Sequence, residues 1–185
     1  MIDAQGNRVA ATLSINFVFG SGLMIGGTGI FMNDEMDDFS MKPGVPNGFQ
    51  LVGSEANAIA PGKRPLSSMT PTFVERDGRV MIVGTPGGSQ ITGMVLLATL
   101  AFLDGRSAAG IVAEPRLHHQ YLPDVLVYEP GALDPAEHAG LEERGHHLGE
   151  APRRYGNLQV VIWDRAGNHL EAAADPRVDG LGKVE

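Results

Sequence analysis

The chain has 185 residues, of which 43% are hydrophobic and 19% are charged, and its formal net charge at neutral pH is −8. This composition is too apolar for a disordered chain, and the acidic balance argues against a nucleic-acid partner because no basic patch is available to neutralise phosphates. Cysteine is absent, which excludes disulfides and thiolate nucleophiles, and no run of about 18 apolar residues predicts a membrane span.

The first residues, MIDAQGNRVAATLSIN, predict a tight turn followed by a strand. Asp3–Asn7 has the composition of a hairpin turn, in which Gly6 supplies the positive φ that the turn requires. Residues 8–16 alternate between apolar and small polar side chains, a pattern typical of a strand with one polar face that can lie beside a substrate. Only two residues precede the turn, so the sequence contains an incomplete first arm of this hairpin.

A glycine-rich segment and a short apolar piece at residues 30–32 lead into an acidic segment, NDEMDDFS, at residues 33–40. We predict an acidic loop or helical turn there. Its carboxylates could bind a divalent cation or a substrate ammonium group, although the spacing does not match a calcium loop, and a solvated acidic turn is the alternative. Residues 41–66 predict a long ordered excursion, and loops of that length in a compact domain are usually functional.

Two adjacent hydroxyls, Ser67 and Ser68, follow Pro65 in the segment RPLSSM. On a rigid loop they could hold a carboxylate, and the alternative is that they form hydrogen bonds of a turn or cap. Further along, RDGR between two apolar runs (residues 72–75 and 80–83) predicts a hairpin.

The segment TPGGS places Gly87 and Gly88 between a strand and an apolar helix over residues 91–103. Backbone N–H groups at such a junction suit an oxyanion, and the alternative is an ordinary turn with positive φ. The glycine spacing matches neither a dinucleotide fingerprint nor a phosphate-binding loop with its lysine.

The rest of the chain predicts a second helix from Ser107 to before Pro115, a strand over 125–128, a helix that begins at Asp134-Pro135 and stops at Gly145, and a hairpin of residues 158–163 and 169–174. This order favours an α+β or layered α/β-sandwich fold over a doubly wound parallel sheet. The pairs His118-His119 and His146-His147 are interpreted as structural, because neighbouring side chains on a strand point to opposite faces and cannot easily share a metal.

Taken in order, a series of segments along the chain resembles the small subunit of γ-glutamyltranspeptidases: FGSG, NDEMDDFS, PGVPN, NAIAPGKRPLSSMTPT, GTPGGSQ, EPRLHHQYLPD and ADPRVDG. In that family a precursor cleaves itself into two subunits, and the new N-terminal threonine attacks the substrate with its own amine as the base. The resemblance implies a four-layer αββα sandwich of the N-terminal-nucleophile hydrolase type, of which residues 1–185 would be a single partial domain. It implies γ-glutamyl substrates such as glutathione, and no cofactor or metal.

The resemblance also implies roles for particular residues. Asp38, assisted by Glu35 and Asn16, would pair with the α-ammonium group of the glutamyl substrate, and Ser67 and Ser68 would donate to its α-carboxylate. Gly87 and Gly88 would stabilise the oxyanion, Ser14 would lie beside the nucleophile, and residues 41–60 would form a lid, with Phe49 where some members have tyrosine. Retention of Asp38 and both serines favours an α-amino-acid substrate over that of a related glutaryl or β-lactam acylase.

The sequence departs from the family pattern at its beginning, where the strand arm with the nucleophilic threonine is not present. The expected partner is the large subunit of the same precursor, which also supplies an arginine for the α-carboxylate. We therefore expect this chain alone to be inactive, to expose a large apolar face, and to aggregate or recruit a partner. Three explanations of the absent strand arm stay open: a start codon assigned too late, a fragment, and a shortened non-catalytic homologue. The sequence also does not distinguish transferase from hydrolase activity. Export to the periplasm or outside is typical of the family.

Overall fold

Nine β-strands and three α-helices make up the chain in the computed structural model, which describes residues 1–185. The strands are β1 (Met24–Ile25), β2 (Ile30–Phe31), β3 (Thr72–Arg76), β4 (Arg79–Gly84), β5 (Leu117–Tyr121), β6 (Asp124–Tyr128), β7 (Leu148–Glu150), β8 (Gln159–Asp164) and β9 (His169–Ala174). The helices are α1 (Ile91–Leu103), α2 (Ala108–Ala113) and α3 (Pro135–Glu143), and short 3₁₀ turns form at Glu35–Asp38, Glu55–Asn57 and Gly88–Gln90.

The elements fall into two compact units. The first, the sheet unit, consists of residues 1–12 and 69–185, and the second, the loop unit, consists of residues 13–68. This mixture of helices with hairpin-linked strands confirms the predicted α+β class. The prediction that residues 1–185 form a single partial domain stays a prediction.

The core of the sheet unit lies between a four-stranded antiparallel sheet, in the order β3-β4-β8-β9, and helices α1 and α2. Met81 and Val83 on β4 share one face with Val160 and Ile162 on β8, because side chains two apart on a strand point the same way. This face packs against Ile91, Val95, Ala98 and Phe102 of α1 and against Ala108, Ile111 and Val112 of α2.

The first turn of the chain packs against the opposite face of the same sheet. Gly6 has a φ of +81°, and a Cβ at this position would lie 3.7 Å from the Trp163 ring. The Asp3 carboxylate accepts hydrogen bonds from the backbone N–H groups of Gln5 and Asn7, at 2.9 and 2.8 Å. The hairpin turn predicted at Asp3–Asn7 is therefore confirmed.

The strand predicted over residues 8–16 is wrong. Ile2 and Arg8 form one isolated bridge, and Met1 and Val9 exchange two backbone hydrogen bonds. Beyond them, residues 10–15 have no ladder partner in the chain. The physical reason is that alternation indicates which side chains share a face, whereas a strand forms only where a neighbouring segment supplies hydrogen bonds.

The other local predictions are confirmed. Asp77 and Gly78 have φ values of +51° and +78° between β3 and β4, as a two-residue hairpin turn requires. Helix α1 has the predicted bounds. The Ser107 side chain caps α2, and Asp134 and Glu137 form a capping box at the start of α3.

A second sheet, in the order β5-β6-β7, was only partly predicted. β5 and β6 are antiparallel, and β7 lies parallel to β6 on its other side. The sequence predicted β6 alone, because LHHQY is too polar and LGE too short to indicate strands. None of the helices is both long and apolar enough to cross a membrane.

Four buried charged side chains, Arg116, Glu129, Asp175 and Arg177, form a network within the sheet unit. Arg177 pairs with both Glu129 and Asp175, and Arg116 pairs with Asp175. Further hydrogen bonds run from this network to the backbone of Val112, Glu114, Tyr155 and Leu158. The network therefore fixes the chain after β9 to the C-terminal end of α2 and to the segment before β8.

Candidate functional site

The acidic segment forms a 3₁₀ turn at Glu35–Asp38, which confirms the predicted loop or helical turn. Its start is held by residues that precede β1. The Asn16 side chain donates to the carbonyl of Asp34 at 3.3 Å, and the backbone N–H of Phe17 donates to the Asp34 carboxylate at 3.1 Å. The structure therefore brings Asn16 to the beginning of the turn that carries Glu35 and Asp38.

Glu35 and Asp38 form a pair of neighbouring carboxyl groups that can share a hydrogen bond when one of them is protonated. Burial, this hydrogen bond and the charge of Glu35, together with the charges of Asp37 and Asp34, raise the pKa of Asp38 to about 6. The Oε1 atom of Glu35 is buried and has no hydrogen-bond partner in the chain. A buried acceptor of this kind usually has a partner, so the pair can accept a cationic donor such as an ammonium group.

Asn57 connects this turn to the segment that leads into Ser67 and Ser68. Its side-chain nitrogen donates to the carbonyl of Asp38 at 2.7 Å, and its side-chain oxygen accepts from the backbone N–H of Leu66 at 2.9 Å. Sequence reasoning missed this residue, because a single asparagine in a loop has no partner spacing that marks it. Ser67 and Ser68 therefore directly follow Leu66, whose backbone is linked through the Asn57 side chain to the backbone of Asp38.

A cavity of about 250 Å³ lies beside this connection, entirely within the loop unit. Its walls include Asp38, Ser40, Leu51 and Asn57. The Oγ atom of Ser40 is buried in this region without a hydrogen-bond partner. The acidic turn therefore opens onto a space large enough for a small molecule.

The excursion over residues 41–66 is ordered by side-chain contacts, as predicted. The Asn47 side-chain oxygen accepts from the backbone N–H groups of Phe49 and Leu51, both at 3.0 Å. The Phe49 ring stacks on Phe17, with ring centroids 4.9 Å apart. The Phe17 ring also occupies the space where a Cβ of Gly48 would lie, at 2.5 Å, so only glycine fits there. A lid function for residues 41–60 stays a prediction.

Ser14 is exposed, and its Oγ accepts a hydrogen bond from the backbone N–H of Asn16 at 2.8 Å. This contact helps to hold Asn16 in its left-handed backbone conformation, with a φ of +69°. This hydrogen bond does not test the predicted position of Ser14 beside a nucleophile, which stays a prediction.

Gly87 and Gly88 lie in the sheet unit, at the junction between β4 and α1. Both have positive φ, +144° and +56°. Positive φ is expected for an oxyanion site at this junction and for an ordinary turn alike, so it does not distinguish the two. The carbonyl of Gly87 accepts from the N–H of Gln90 at 3.1 Å, and helix α1 starts at the next residue. Backbone N–H groups at the start of a 13-residue helix suit a negative charge. A Cβ on Gly87 would lie 2.6 Å from the Met94 methyl carbon.

Six of the eight predicted site residues lie in the loop unit, and the structure links them through Asp34 and Asn57. They are Ser14, Asn16, Glu35, Asp38, Ser67 and Ser68, whereas Gly87 and Gly88 belong to the sheet unit. The roles assigned to all eight residues stay predictions.

The histidine pairs make contacts with polar and aromatic neighbours. His118 bonds to the Gln120 side chain at 2.9 Å, and His119 bonds to Asp124 at 2.9 Å and meets the edge of the His146 ring. The His119 hydrogen bond is the main reason that the pKa of Asp124 is lowered. No three His, Asp or Glu side chains are grouped so that they could hold a metal ion.

Comparison with known proteins gives a consistent result. The family model described as Gamma-glutamyltranspeptidase matches residues 1–184. A glutathione hydrolase proenzyme of Pseudomonas aeruginosa is 46% identical over 190 residues, which cover 100% of this chain and 33% of that protein. Scoloptoxin SSD20 of Scolopendra dehaani is 44% identical, over 97% of this chain and 91% of the toxin.

Among solved structures, the gamma-glutamyltranspeptidase of Pseudomonas nitroreducens complexed with L-DON is 43% identical. It superposes with a TM-score of 0.89 over 100% of this chain and 97% of that one. The chain thus has the expected N-terminal-nucleophile hydrolase fold. It spans about a third of the length of the first curated proenzymes that it matches.

Proposed function

The chain belongs to the gamma-glutamyltranspeptidase family, and we propose that it is the small-subunit part of an enzyme that transfers or hydrolyses γ-glutamyl groups. Glutathione and related γ-glutamyl compounds are the proposed substrates, in keeping with the name of the proenzyme relatives. The proposed partner is the large subunit of the same precursor, since those relatives are about three times as long as this chain.

The observation that carries this proposal is the carboxyl pair of Glu35 and Asp38. One buried oxygen of Glu35 lacks a donor, and Asp38 binds a proton up to a pH of about 6. An α-ammonium group would supply both a donor and a positive charge, and charge-assisted hydrogen bonds of this kind are the strong ones. A free glutamyl head group carries such an ammonium group next to a carboxylate.

The other half of the head group is assigned to Ser67 and Ser68, whose hydroxyls can donate to the α-carboxylate. Asn57 supports this assignment, because it ties the carbonyl of Asp38 to the residue before Ser67. The head group would then span the two segments that the asparagine joins. Asn16, which donates to the start of the acidic turn, would assist on the ammonium side.

Acyl transfer also requires stabilisation of the oxyanion that forms when the γ-carbonyl is attacked. We assign this to the backbone N–H groups of Gly87 and Gly88 at the start of α1. Removal of one such donor typically costs about 2.7–4 kcal/mol of transition-state stabilisation. Ser14 is assigned a supporting position beside the nucleophile.

Within the 185 residues, no serine or threonine combines its hydroxyl with a free amine. The terminal ammonium belongs to Met1 and donates to the carbonyl of Val9 at 2.8 Å, and the nitrogen of Thr12 lies in a peptide bond. We infer that the nucleophilic threonine is supplied by the rest of the proenzyme. The 185 residues alone would then not catalyse transfer.

The test compares the 185-residue chain with the processed full-length precursor, using γ-glutamyl-p-nitroanilide. We expect the processed precursor to release p-nitroaniline and the 185-residue chain to remain at the buffer rate. Addition of glycylglycine separates the two activities, because a transferase accelerates with this acceptor and a hydrolase does not. Release by the chain alone would contradict the inferred source of the nucleophile, and no release by the precursor would contradict the function.

A second candidate is a non-catalytic homologue that binds γ-glutamyl ligands. It is favoured by one observation, the similarity to scoloptoxin SSD20 over 91% of that protein, which has nearly the length of this chain. Calorimetric titration with glutamate and glutathione, combined with the release assay, distinguishes the two. Binding of these ligands without release of p-nitroaniline by the processed precursor would support this candidate, and release would exclude it.

A further inference from the structure

We propose that Asn57 is a positioning residue that sets the separation between the ammonium-binding and the carboxylate-binding parts of the site. The inference rests on the proposed function, because it takes Asp38 and the serine pair Ser67-Ser68 as the two parts. Asn57 itself is assigned no contact with the substrate. It would act through the backbone of the residues that make those contacts.

The geometry of the two hydrogen bonds supports this role. The side-chain amide of Asn57 donates to the carbonyl of Asp38 at 2.7 Å and accepts from the N–H of Leu66 at 2.9 Å. Both partners are backbone groups, so the bonds fix main-chain positions. A single planar group therefore spans the two segments, and the distance between them cannot change without breaking one of the bonds.

Hydrogen bonds of its own backbone groups hold Asn57 in place. Its N–H donates to the carbonyl of Ser54 at 3.0 Å, and its carbonyl accepts from the N–H of Ser40 at 2.9 Å. Ser40 and Ala58 form a parallel bridge at the same point. Because its main chain is anchored at both groups and its side chain is half-buried, the amide acts as a fixed strut between the two segments.

The chemistry of the two partners explains why the residue is asparagine. A carbonyl accepts only and an N–H donates only, so the bridging side chain needs one donor and one acceptor on a short, rigid stem. Aspartate can accept from Leu66 but cannot donate to Asp38 when ionised. Alanine can make neither bond. The order of donor and acceptor also fixes the orientation of the Asn57 amide.

The experiment uses the processed full-length enzyme with two donors, L-γ-glutamyl-p-nitroanilide and glutaryl-p-nitroanilide. The second donor lacks the α-ammonium group. We expect N57A to raise KM for the glutamyl donor about tenfold with kcat changed less than about threefold, because two hydrogen bonds of ordinary strength are lost from positioning alone. The preference for the glutamyl over the glutaryl donor should fall by a similar factor.

N57D provides the second arm, because it keeps the bond from the Leu66 N–H and so preserves that part of the fold. It replaces the donor to the Asp38 carbonyl with a further negative charge near the carboxyl pair. We expect the acid limb of the pH profile of kcat/KM to move to higher pH. The added charge moves this limb whatever the role of Asn57, so the readout specific to positioning is donor preference, which we expect N57D to lower as N57A does.

Asn168→Ala is the matched control, since it also removes an asparagine side-chain hydrogen bond, to Trp163 in the turn between β8 and β9. It should leave KM, donor preference and pH profile unchanged. If the wild-type enzyme is active and N57A and N57D change only kcat or the melting temperature, the proposed role of Asn57 is wrong. The proposed function would not be affected by that result. A wild type that releases no p-nitroaniline would overturn the proposed function, and this inference with it.

Discussion

At the scale of single residues, the carboxyl pair of Glu35 and Asp38 fits the proposed binding role better than a stabilising one. The pKa of Asp38 is raised to about 6, mainly by burial and by the hydrogen bond with Glu35. A carboxyl group whose folded pKa lies above its unfolded value stabilises the fold at low pH, and this contribution is lost as the pH rises from about 4 through 6. At neutral pH the ionised pair is therefore unfavourable until a cation joins it.

Substitution of Asp38 should strongly weaken binding of the γ-glutamyl donor substrate. In the processed enzyme, we expect Asp38→Asn to raise KM for L-γ-glutamyl-p-nitroanilide by about 10- to 100-fold, because a charge-assisted hydrogen bond contributes about 1.5–3 kcal/mol. Asp37→Asn is the control, as it removes a neighbouring charge from the same turn, and its effect should stay below about threefold. Equal effects of the two substitutions would contradict the assignment of Asp38.

The same pair predicts a pH dependence of binding. An ammonium ligand favours the ionised form of Asp38, so affinity should fall as the pH drops below about 6 and the carboxyl group becomes protonated. Binding at pH 6 should therefore release protons, which calorimetry in buffers of different ionisation enthalpy detects. A glutamate affinity that does not change between pH 5 and pH 7.5 would be inconsistent with this carboxyl pair as the ammonium site.

At the scale of elements, the junction between β4 and α1 combines two constraints on Gly87. Its φ of +144° is strained for any other residue, and a Cβ would meet the Met94 methyl carbon at 2.6 Å. We expect Gly87→Ala to lower kcat of the processed enzyme by about 100-fold or more, because the amides that we propose as oxyanion donors are displaced. KM should change little, since the proposed head-group contacts are made by other residues.

Gly105, just after the end of the same helix, provides the control for this substitution. Its φ is +84°, and no atom lies within 4 Å of the position of its Cβ. Gly105→Ala therefore introduces the backbone strain without the contact and without a catalytic amide, so it should lower the melting temperature only. A comparable loss of kcat in both variants would assign the effect of Gly87→Ala to folding.

The buried ion network is the second feature at this scale. Burial by itself raises the pKa of Asp175, but the hydrogen bonds from Arg116, Leu158 and Arg177 lower it below its usual value. A carboxylate with a lowered pKa adds stability above its unfolded pKa of about 4, and this stability is lost as the pH falls through the folded value. The network thus makes the sheet unit sensitive to acid.

Removal of Asp175 should leave the buried Arg116 without its charged partner and Arg177 with Glu129 alone. We expect Asp175→Asn to lower the melting temperature of the processed enzyme by about 10 °C, since breaking a buried pair costs about 3–5 kcal/mol. Glu75→Gln is the control, as it removes exposed pairs with Arg8 and Arg165 and should cost less than about 3 °C. Similar losses in both variants would show that burial of the network adds nothing.

Which elements could be predicted from the sequence depended on whether their signals are local. The turn at Asp77-Gly78, the caps at Ser107 and Asp134, and helix α1 are specified by adjacent residues, and all were predicted. β5 and β7 form because β6 lies between them, a relationship that no local pattern contains. The same reason explains why Asn57 and the buried network were missed, since their partners are distant in sequence or are backbone groups.

At the scale of the whole molecule, the segment from Val9 to Met36 exposes an unusual number of large apolar side chains. Leu13 is 94% exposed and Val18 is 84% exposed. Others in this segment are Val9, Ile15, Phe17, Phe19, Leu23, Met24, Ile25, Ile30, Phe31, Met32 and Met36. Exposed apolar side chains in such number usually mark an interface, so we propose this segment, the apolar segment, as the surface that the large subunit covers.

This assignment predicts opposite effects of one set of substitutions on two measurements. Replacement of Leu13, Val18 and Phe19 by serine should reduce aggregation of the isolated 185-residue chain, because exposed apolar area is removed. The same triple variant should reduce the yield of heterodimer when the large subunit is expressed with it, because that area would otherwise be buried between the subunits. Light scattering and co-purification measure the two effects.

Replacement of Phe73, Leu96 and Leu100, exposed apolar side chains outside the apolar segment, serves as the control. If the control set reduced heterodimer yield as much as the triple variant, the apolar segment would not be the particular surface that the large subunit covers.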